Sequence, residues 1–376
     1  MPKSIEELLT MQIKEDAADL HINVGLPPTL RMRGGLHPVG DIPVTPEIAT
    51  NYMKAITSRE NQEELQKVGG TDFGFAFKDL ARFRVSVFKE RGNIALALRL
   101  IPYKFLTFEQ IGLNPETMQQ LLTRPRGLIL VVGPTGSGKT TTLASMVNWM
   151  NENLSKHIIT IEDPIEYFHH HKKSVITQRE LGVDVPTFAE ALRRGLRQDP
   201  DIFLVGEMRD LETIEAAITA AETGHIVFAT LHTTGAPRTV DRIVNAFSVA
   251  QQEQIRVMLS VSILGVISQV LLNRADKKGK VAAFELMLAT TSIQNLIRER
   301  KTYRIISEIQ TGGKMGMITM DTFLINLFKE DKIVYEDVMT YANDPVSTKA
   351  ELLAQGLIDE ASTAEIDEKI KEMKSI

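Results

Sequence analysis

Residues 133–140 read Gly133-Pro134-Thr135-Gly136-Ser137-Gly138-Lys139-Thr140, an unbroken G-x-x-x-x-G-K-T. The apolar run Leu128-Ile129-Leu130-Val131-Val132 precedes it, and the helix-compatible Thr141-Thr142-Leu143-Ala144-Ser145-Met146 follows. A buried strand, a glycine-rich turn and a helix in that order point to an α/β sheet that holds a phosphate at its strand ends. Each residue type has a physical reason to be there. Glycines at 133, 136 and 138 admit backbone conformations closed to other residues, so successive N–H groups can face one anion. The helix adds the partial positive charge of its N-terminus. Lys139 reaches β- and γ-phosphate oxygens as a point charge, and the Thr140 hydroxyl is placed to ligate the Mg²⁺ that bridges them. Pro134, Thr135, Ser137 and Thr141 complete the residues expected to touch the nucleotide.

At 376 residues the chain exceeds the size at which a single core keeps growing, so two or more domains are expected. With 43 Lys and Arg against 48 Asp and Glu, the net charge of -5 provides no whole-protein positive field, which disfavours nucleic acid as a partner. The absence of cysteine excludes disulfides, thiolate zinc sites and a cysteine nucleophile, and agrees with a reducing, cytoplasmic setting. Acidic residues interrupt Met1-Pro2-Lys3-Ser4-Ile5-Glu6-Glu7-Leu8-Leu9, which therefore does not read as a signal peptide. The longest apolar stretch, residues 257–272, falls short of the ~20 residues a spanning helix needs and contains Ser260, Ser262, Ser268 and Gln269. It reads as a buried core helix, and membrane association is expected only through a partner.

The first hundred residues read as a small α+β domain, residues 1–101. A helix is expected over 5–16 and a helical stretch over 46–66, with strands over 20–24, 29–33, 72–77, 81–88 and 94–100. Residues 102–115, bracketed by Pro102 and Pro115, read as a linker. From 116 to 376 strands and helices alternate, which predicts a parallel sheet covered on both faces. Its strands are expected at 128–132, 157–161, 202–205 and 226–231. Helices are expected at 140–153, 187–197, 211–223 and over most of 251 to the C-terminus, with a charged, loosely held helical tail after residue 345.

In such a sheet the ligand sits outside the carboxyl ends of the strands. Three of those ends carry reactive side chains: Ile161-Glu162-Asp163-Pro164-Ile165-Glu166-Tyr167, Val205-Gly206-Glu207-Met208-Arg209-Asp210, and the strand from His225 to His232. ATP hydrolysis needs a group that orients or deprotonates water, a carboxylate near the metal, and cations against the charge of the transition state. Glu162 is the candidate base. Glu207 is the candidate metal-side acid, acting directly or through water, where Asp is the commoner residue. Taken singly, either carboxylate could instead be a helix cap or surface turn, and His225 and His232 could be satisfied structural histidines. Among the strand arginines Arg82, Arg84, Arg91 and Arg99, guanidinium groups either face solvent or meet a γ-phosphate if their domain closes over the nucleotide. Arg193, Arg194 and Arg197 suggest a subunit or domain contact, and His169-His170-His171-Lys172-Lys173 a solvated loop rather than a metal tract.

Four ordered motifs resemble the PilT-type retraction ATPases of type IV pili, within the secretion ATPase superfamily of type II and type IV systems. They are residues 133–140 as Walker A, 161–167 as the Asp box, Gly206-Glu207-Met208-Arg209-Asp210-Leu211-Glu212-Thr213 as Walker B, and Thr223-Gly224-His225 through Leu231-His232-Thr233 as the His box. Ser292-Ile293-Gln294-Asn295-Leu296-Ile297-Arg298-Glu299 is similar to the retraction signature Ala-Ile-Arg-Asn-Leu-Ile-Arg-Glu, departing at Ser292 and Gln294.

The resemblance implies a PAS-like N-terminal domain joined to a RecA-like P-loop domain, six copies in a ring, and ATP with Mg²⁺ bound between domains. It implies that Glu162 is catalytic, that Glu207 is the Walker B acid, that His225 and His232 report on the nucleotide, and that Arg84 and Arg99 contact phosphate. It also implies an inner-membrane pilus platform protein as partner and work at the cytoplasmic face of that membrane. The lack of the tetracysteine zinc motif and of a longer N-terminal region favours retraction over pilus assembly or type II secretion. An accessory PilU-like paralogue is the alternative within the family. A nucleic-acid translocase and a non-hydrolysing nucleotide-gated scaffold are the alternatives outside it.

Overall fold

Strands β1 (Asp19–Ile22), β2 (Thr29–Met32), β3 (Gly35–Pro38), β4 (Gly70–Phe77), β5 (Ala81–Glu90) and β6 (Asn93–Ile101) form an antiparallel sheet in the order β3-β2-β1-β6-β5-β4. The structure, a computed structural model, describes residues 2–32, 35–78, 80–101, 104–360 and 363. Alternation along β5 sends Phe83, Val85 and Val87 inward and leaves Arg84 exposed. Helices Ile5–Lys14, Pro46–Ile56 and Arg59–Val68, each opened by a Ser or Thr cap, bury Leu8, Leu9, Tyr52, Met53 and Leu65 against that inner face. The single helical stretch expected over 46–66 is divided because Thr57 is extended and Ser58 begins a new helix with a capping box. The expected strand end at Arg33 lies outside the described residues.

This sheet belongs to one of two units into which the chain divides, Met1–Lys104 with Glu166–Phe168; the other is Phe105–Ile165 with His169–Ile376. Within the second unit β7 (Gly127–Val132), β8 (His157–Glu162), β9 (Val175–Glu180), β10 (Ile202–Val205), β11 (Ile226–Leu231), β12 (Ile263–Asn273) and β13 (Lys280–Leu288) form a sheet ordered β13-β12-β7-β11-β10-β8-β9. Every neighbouring pair is parallel except β12 with β13. Both faces are covered, which is why these strands read as unbroken apolar runs. Leu128, Leu130, Val132, Phe203 and Val227 enter one core, while Ile129, Val131, Ile202, Leu204 and Phe228 enter the core on the opposite face.

Three expectations are corrected. Residues 257–272 are not one helix: the helix Val249–Ser262 ends where Ile263 turns extended, and β12 continues between β7 and β13. The β-branched Ile263, Val266, Ile267 and Val270 suit that pleated, buried position better than a helix. The region after 251 is therefore helical only in part, with Thr291–Arg298, Ile305–Thr311, Met320–Lys329, Tyr335–Tyr341 and Pro345–Ala354 following β13. Lastly, the stretch read as a linker is folded from Phe105 onward. Thr107 and Gln110 form a capping box on the short helix Phe108–Ile111, and Phe108, Ile111 and Leu113 enter the second unit's core. Pro102 of that stretch and the tail beyond residue 363 lie outside the described residues, among which no helix is long and apolar enough to cross a membrane.

Candidate active site

The cradle is shaped by close packing beneath it. Buried along its whole length, β7 delivers Gly133 at its carboxyl end. A Cβ on Gly133, whose φ is +149°, would lie 2.2 Å from the main-chain oxygen of Gln269 on β12, so no other residue fits there. Gly138, at φ +89°, starts the helix Lys139–Asn153 without any side-chain cap. The N–H groups of that first turn are left for an acceptor that the protein's own caps do not supply. Lys139 Nζ donates to the carbonyls of Gly133 at 2.8 Å and Pro134 at 3.1 Å, holding the ammonium at the turn. Thr140 and Thr141 are half-buried behind it.

Parallel register brings the acids to the same edge. Leu231 pairs with Val132, Ala229 with Val205, and Val205 with Ile161, so the residues that follow these strands emerge side by side. Glu162, the buried last residue of β8, accepts the Thr160 hydroxyl at 2.6 Å and Gln178 Nε2 at 3.1 Å, both on Oε1. Gly206 permits the neighbouring strand end to pass closely, since a Cβ there would sit 3.2 Å from the Ile161 oxygen. Just beyond, Glu207 Oε2 meets Arg209 Nη2 at 2.8 Å and its Oε1 meets His232 Nε2 at 3.0 Å. Desolvation opposes the charge on Glu207, but Arg209 and His232 outweigh it and hold the carboxyl below its ordinary value. A carboxylate only accepts, so His232 donates from Nε2, and its Nδ1 lies 3.5 Å from Thr135 Oγ1. The cradle, His232, Glu207 and Arg209 thus form one polar chain.

Other expected residues are placed elsewhere. His225 precedes β11, and the strand's six residues span roughly 20 Å, which puts this histidine at the sheet edge opposite the cradle. Its Nδ1 lies 3.0 Å from the Ala220 carbonyl and its ring packs on Phe203. Of the two histidines expected at the site, the structure places His232 beside the cradle and His225 at the other end of β11. Arg84 and Arg99 belong to the first unit, at directly paired positions of β5 and β6, with Arg99 Nε on Asp19 Oδ1 at 2.8 Å. Arg193 and Arg194 pair with Glu190, and Arg193 also with Glu212. The His169 run is not simply a solvated loop: the His169 ring stacks on Phe105, and burial, with help from the Lys172 charge, pushes its pKa down to about 4. Among the described residues no group of three or more His, Asp or Glu side chains is placed to hold a metal ion.

Beside the cradle opens a cavity of about 560 Å³, bounded by Ser137, Gly138 and Thr141 on one side and by Leu271, Arg274 and Phe284 of the β12–β13 hairpin on the other. Phosphate cradle, acids and adjoining cavity lie together at one edge of the sheet. A model of the type II/IV secretion system protein family matches residues 1–319. The chain belongs to this family. It is 45% identical over 341 residues to the type IV pilus retraction ATPase PilT of Pseudomonas aeruginosa, covering 91% of this chain and 98% of that protein. It is 35% identical over 338 residues to the type IV pilus ATPase PilU of the same species, covering 90% and 88%. Its structure is similar to a crystal structure of the pilus retraction motor PilT with bound ADP, with a TM-score of 0.84 and 45% identity, covering 92% of this chain and 98% of that one. The fold is α/β, RecA-like in the second unit, with a smaller PAS-like α+β domain before it.

Two residues of this type II/IV secretion family member escaped the sequence reading. Gln269, hidden in the stretch taken for a core helix, is buried beneath the cradle and donates Nε2 to the Ser137 carbonyl at 2.6 Å. One amide in an apolar run was the available signal, because buried polar groups are kept where they have partners. Gln178, which touches Glu162, lies on the edge strand β9, where polar residues mask the strand pattern.

Proposed function

We propose that this chain is an ATP-hydrolysing motor that powers retraction of a type IV pilus. The observation that carries the reading is the convergence of the uncapped cradle, Glu162 and the His232–Glu207–Arg209 chain at one sheet edge. The likeness to PilT over nearly the whole of both chains, stronger than that to PilU, supports retraction.

The triphosphate lies along the first turn of Lys139–Asn153, and Lys139 exchanges its carbonyl partners for β- and γ-phosphate oxygens. Glu162 orients the attacking water and accepts its proton. The base side of ATP enters the cavity between Thr141 and Phe284. Thr140 and a charged Glu207 offer oxygen donors suited to Mg²⁺, which is commonly held by one or two protein groups plus substrate phosphates. Those two residues would hold it, directly or through water; when bound, it neutralises charge on the phosphates.

Six copies act as a ring in which Arg84 and Arg99 of one copy meet the phosphate of the next, so ATP favours the closed arrangement through contacts it makes only there. The ring works at the cytoplasmic face of the inner membrane against a platform protein, with a PilU-like paralogue as a second motor and no nucleic-acid partner. Deleting the gene and scoring surface pili and twitching tests the reading: excess pili that do not retract are expected, whereas bald cells would indicate an assembly motor. In purified protein, Lys139→Ala abolishes phosphate release. Salt-sensitive stimulation by single-stranded DNA would instead indicate a translocase.

A further inference from the structure

Strand β9 lies at the edge of the seven-stranded sheet, paired with β8. Parallel register sets Gln178 beside Thr160 and Glu180 beside Glu162, and the two-residue period of strands puts all four side chains on one face. Two contacts from β9 brace the strand end that carries Glu162. Gln178 Nε2 donates to Glu162 Oε1 at 3.1 Å, the same oxygen that takes the Thr160 hydroxyl. Glu180 Oε2 accepts the main-chain N–H of Ile165 at 3.1 Å, fixing the turn just beyond.

The other end of the Gln178 amide is also engaged, for its Oε1 accepts the main-chain N–H of His169 at 2.8 Å. His169 is the residue with which the second unit resumes after Glu166–Phe168, and Phe105 is the residue with which that unit begins. Their rings stack with centroids 4.6 Å apart and planes 17° from parallel. Both passages of the chain into the ATPase unit are therefore clasped together, one amide away from the carboxylate.

We propose that Gln178 is a positioning residue for Glu162, tying the water-orienting carboxylate to the Phe105–His169 clasp at the entrance to the ATPase unit. The proposal rests on the reading of Glu162 given above and deepens it. An amide is planar, so its nitrogen and oxygen move together; a shift of the His169 main chain is passed to Glu162 Oε1. Misplacing a catalytic group by about 1 Å can cost on the order of a hundredfold in rate. Hydrolysis would thus respond to strain at the chain connections without any contact between those connections and the nucleotide.

The test is Gln178→Met, which keeps an unbranched side chain of similar size and removes both polar ends. Turnover of ATP is expected to fall about tenfold or more, the effect of losing a hydrogen bond to a charged group, while binding of a fluorescent ATP analogue stays within about threefold. In a Glu162→Gln background the same change should cost less than about threefold, because the group being positioned has already lost its charge. Amide hydrogen exchange over residues 166–172 should accelerate. Gln178→Glu separates the two ends: it keeps an acceptor for His169, and so its exchange protection, but sets a second carboxylate against Glu162, so turnover falls. Equal losses in both backgrounds, wild-type turnover in either Gln178 variant, or a loss confined to ATP binding would overturn the proposal. Unchanged turnover in Glu162→Gln alone would instead remove the role of Glu162, and this positioning role with it.

Discussion

Replacing Glu162 by glutamine removes a charge with almost no change in volume, and the surroundings set what should follow. The side chain is 9% exposed, and its Oε1 takes the Thr160 hydroxyl at 2.6 Å and the Gln178 amide at 3.1 Å. An amide oxygen can accept both, so these two donors keep their partner. The two hydrogen bonds lose their ionic strengthening, at a cost of about 1 kcal/mol, and this is offset in part because a carboxylate no longer has to be kept from water. The melting temperature should move by no more than about 2–4 °C. The chemical step is affected far more, since a positioned base contributes about 10²–10⁴-fold, or roughly 2.7–5.5 kcal/mol of barrier. Stopped-flow binding and single-turnover phosphate release on the same preparation separate the two quantities. Affinity for ATP within about threefold of wild type, with turnover reduced about a hundredfold or more, is the expected result. Loss of binding in step with turnover would refute the assignment and make Glu162 a structural carboxylate.

His232→Ala removes one of the two groups that hold Glu207 below its ordinary pKa, so the acid limb of the turnover–pH profile should move to higher pH; an unmoved limb would sever the polar chain at that link. Gln269→Leu leaves the Ser137 carbonyl without its buried donor and should cost about 1–3 kcal/mol in urea unfolding, with weakened ATP binding. Glu285 is buried, and burial, with Asp321 nearby, raises its carboxyl above 4.5 despite main-chain donors from Ala236 and Met320. The folded state therefore binds the extra proton between the ordinary carboxylate value and the raised one, and stability falls as pH rises through that window. Glu285→Gln should accordingly stabilise the protein at neutral pH and lose that advantage below pH 4.5, read as the difference in urea midpoint at the two ends.

What the sequence made legible was what burial on both faces writes into it. Leu128 to Val132 and Ile202 to Val205 are strands with no polar face, and the glycines of the cradle are forced by sterics, so each could be read directly. Residues 257–272 failed for the same reason: a largely apolar run with scattered small polar residues carries no clear periodicity, and helix and strand look alike within it. Its β-branched second half was the clue that a strand had begun at Ile263. Edge strand β9 was hidden by the opposite problem, since Thr177, Gln178 and Arg179 interrupt its apolar signal. His225 and His232 looked equivalent because both flank one strand, but a strand has two ends and the cradle occupies one. The charge-rich appearance of the His169 run concealed a ring whose stacking partner, Phe105, is 64 residues away, a juxtaposition that no local pattern reports.

Strand β12 pairs with β7 as far as Ser268 opposite Val132, then runs on to Asn273 and returns as β13 from Lys280. The hairpin so formed overhangs the sheet and supplies Leu271, Arg274 and Phe284 to the cavity beside the cradle. Backbone amides that grip a triphosphate are blind to the base attached to it. If the base enters the cavity as proposed, selection among nucleosides falls to a projecting tip whose length and side chains can drift without altering the register at Val132. On that reading, fuel preference and the hydrolytic apparatus are free to evolve as separable modules.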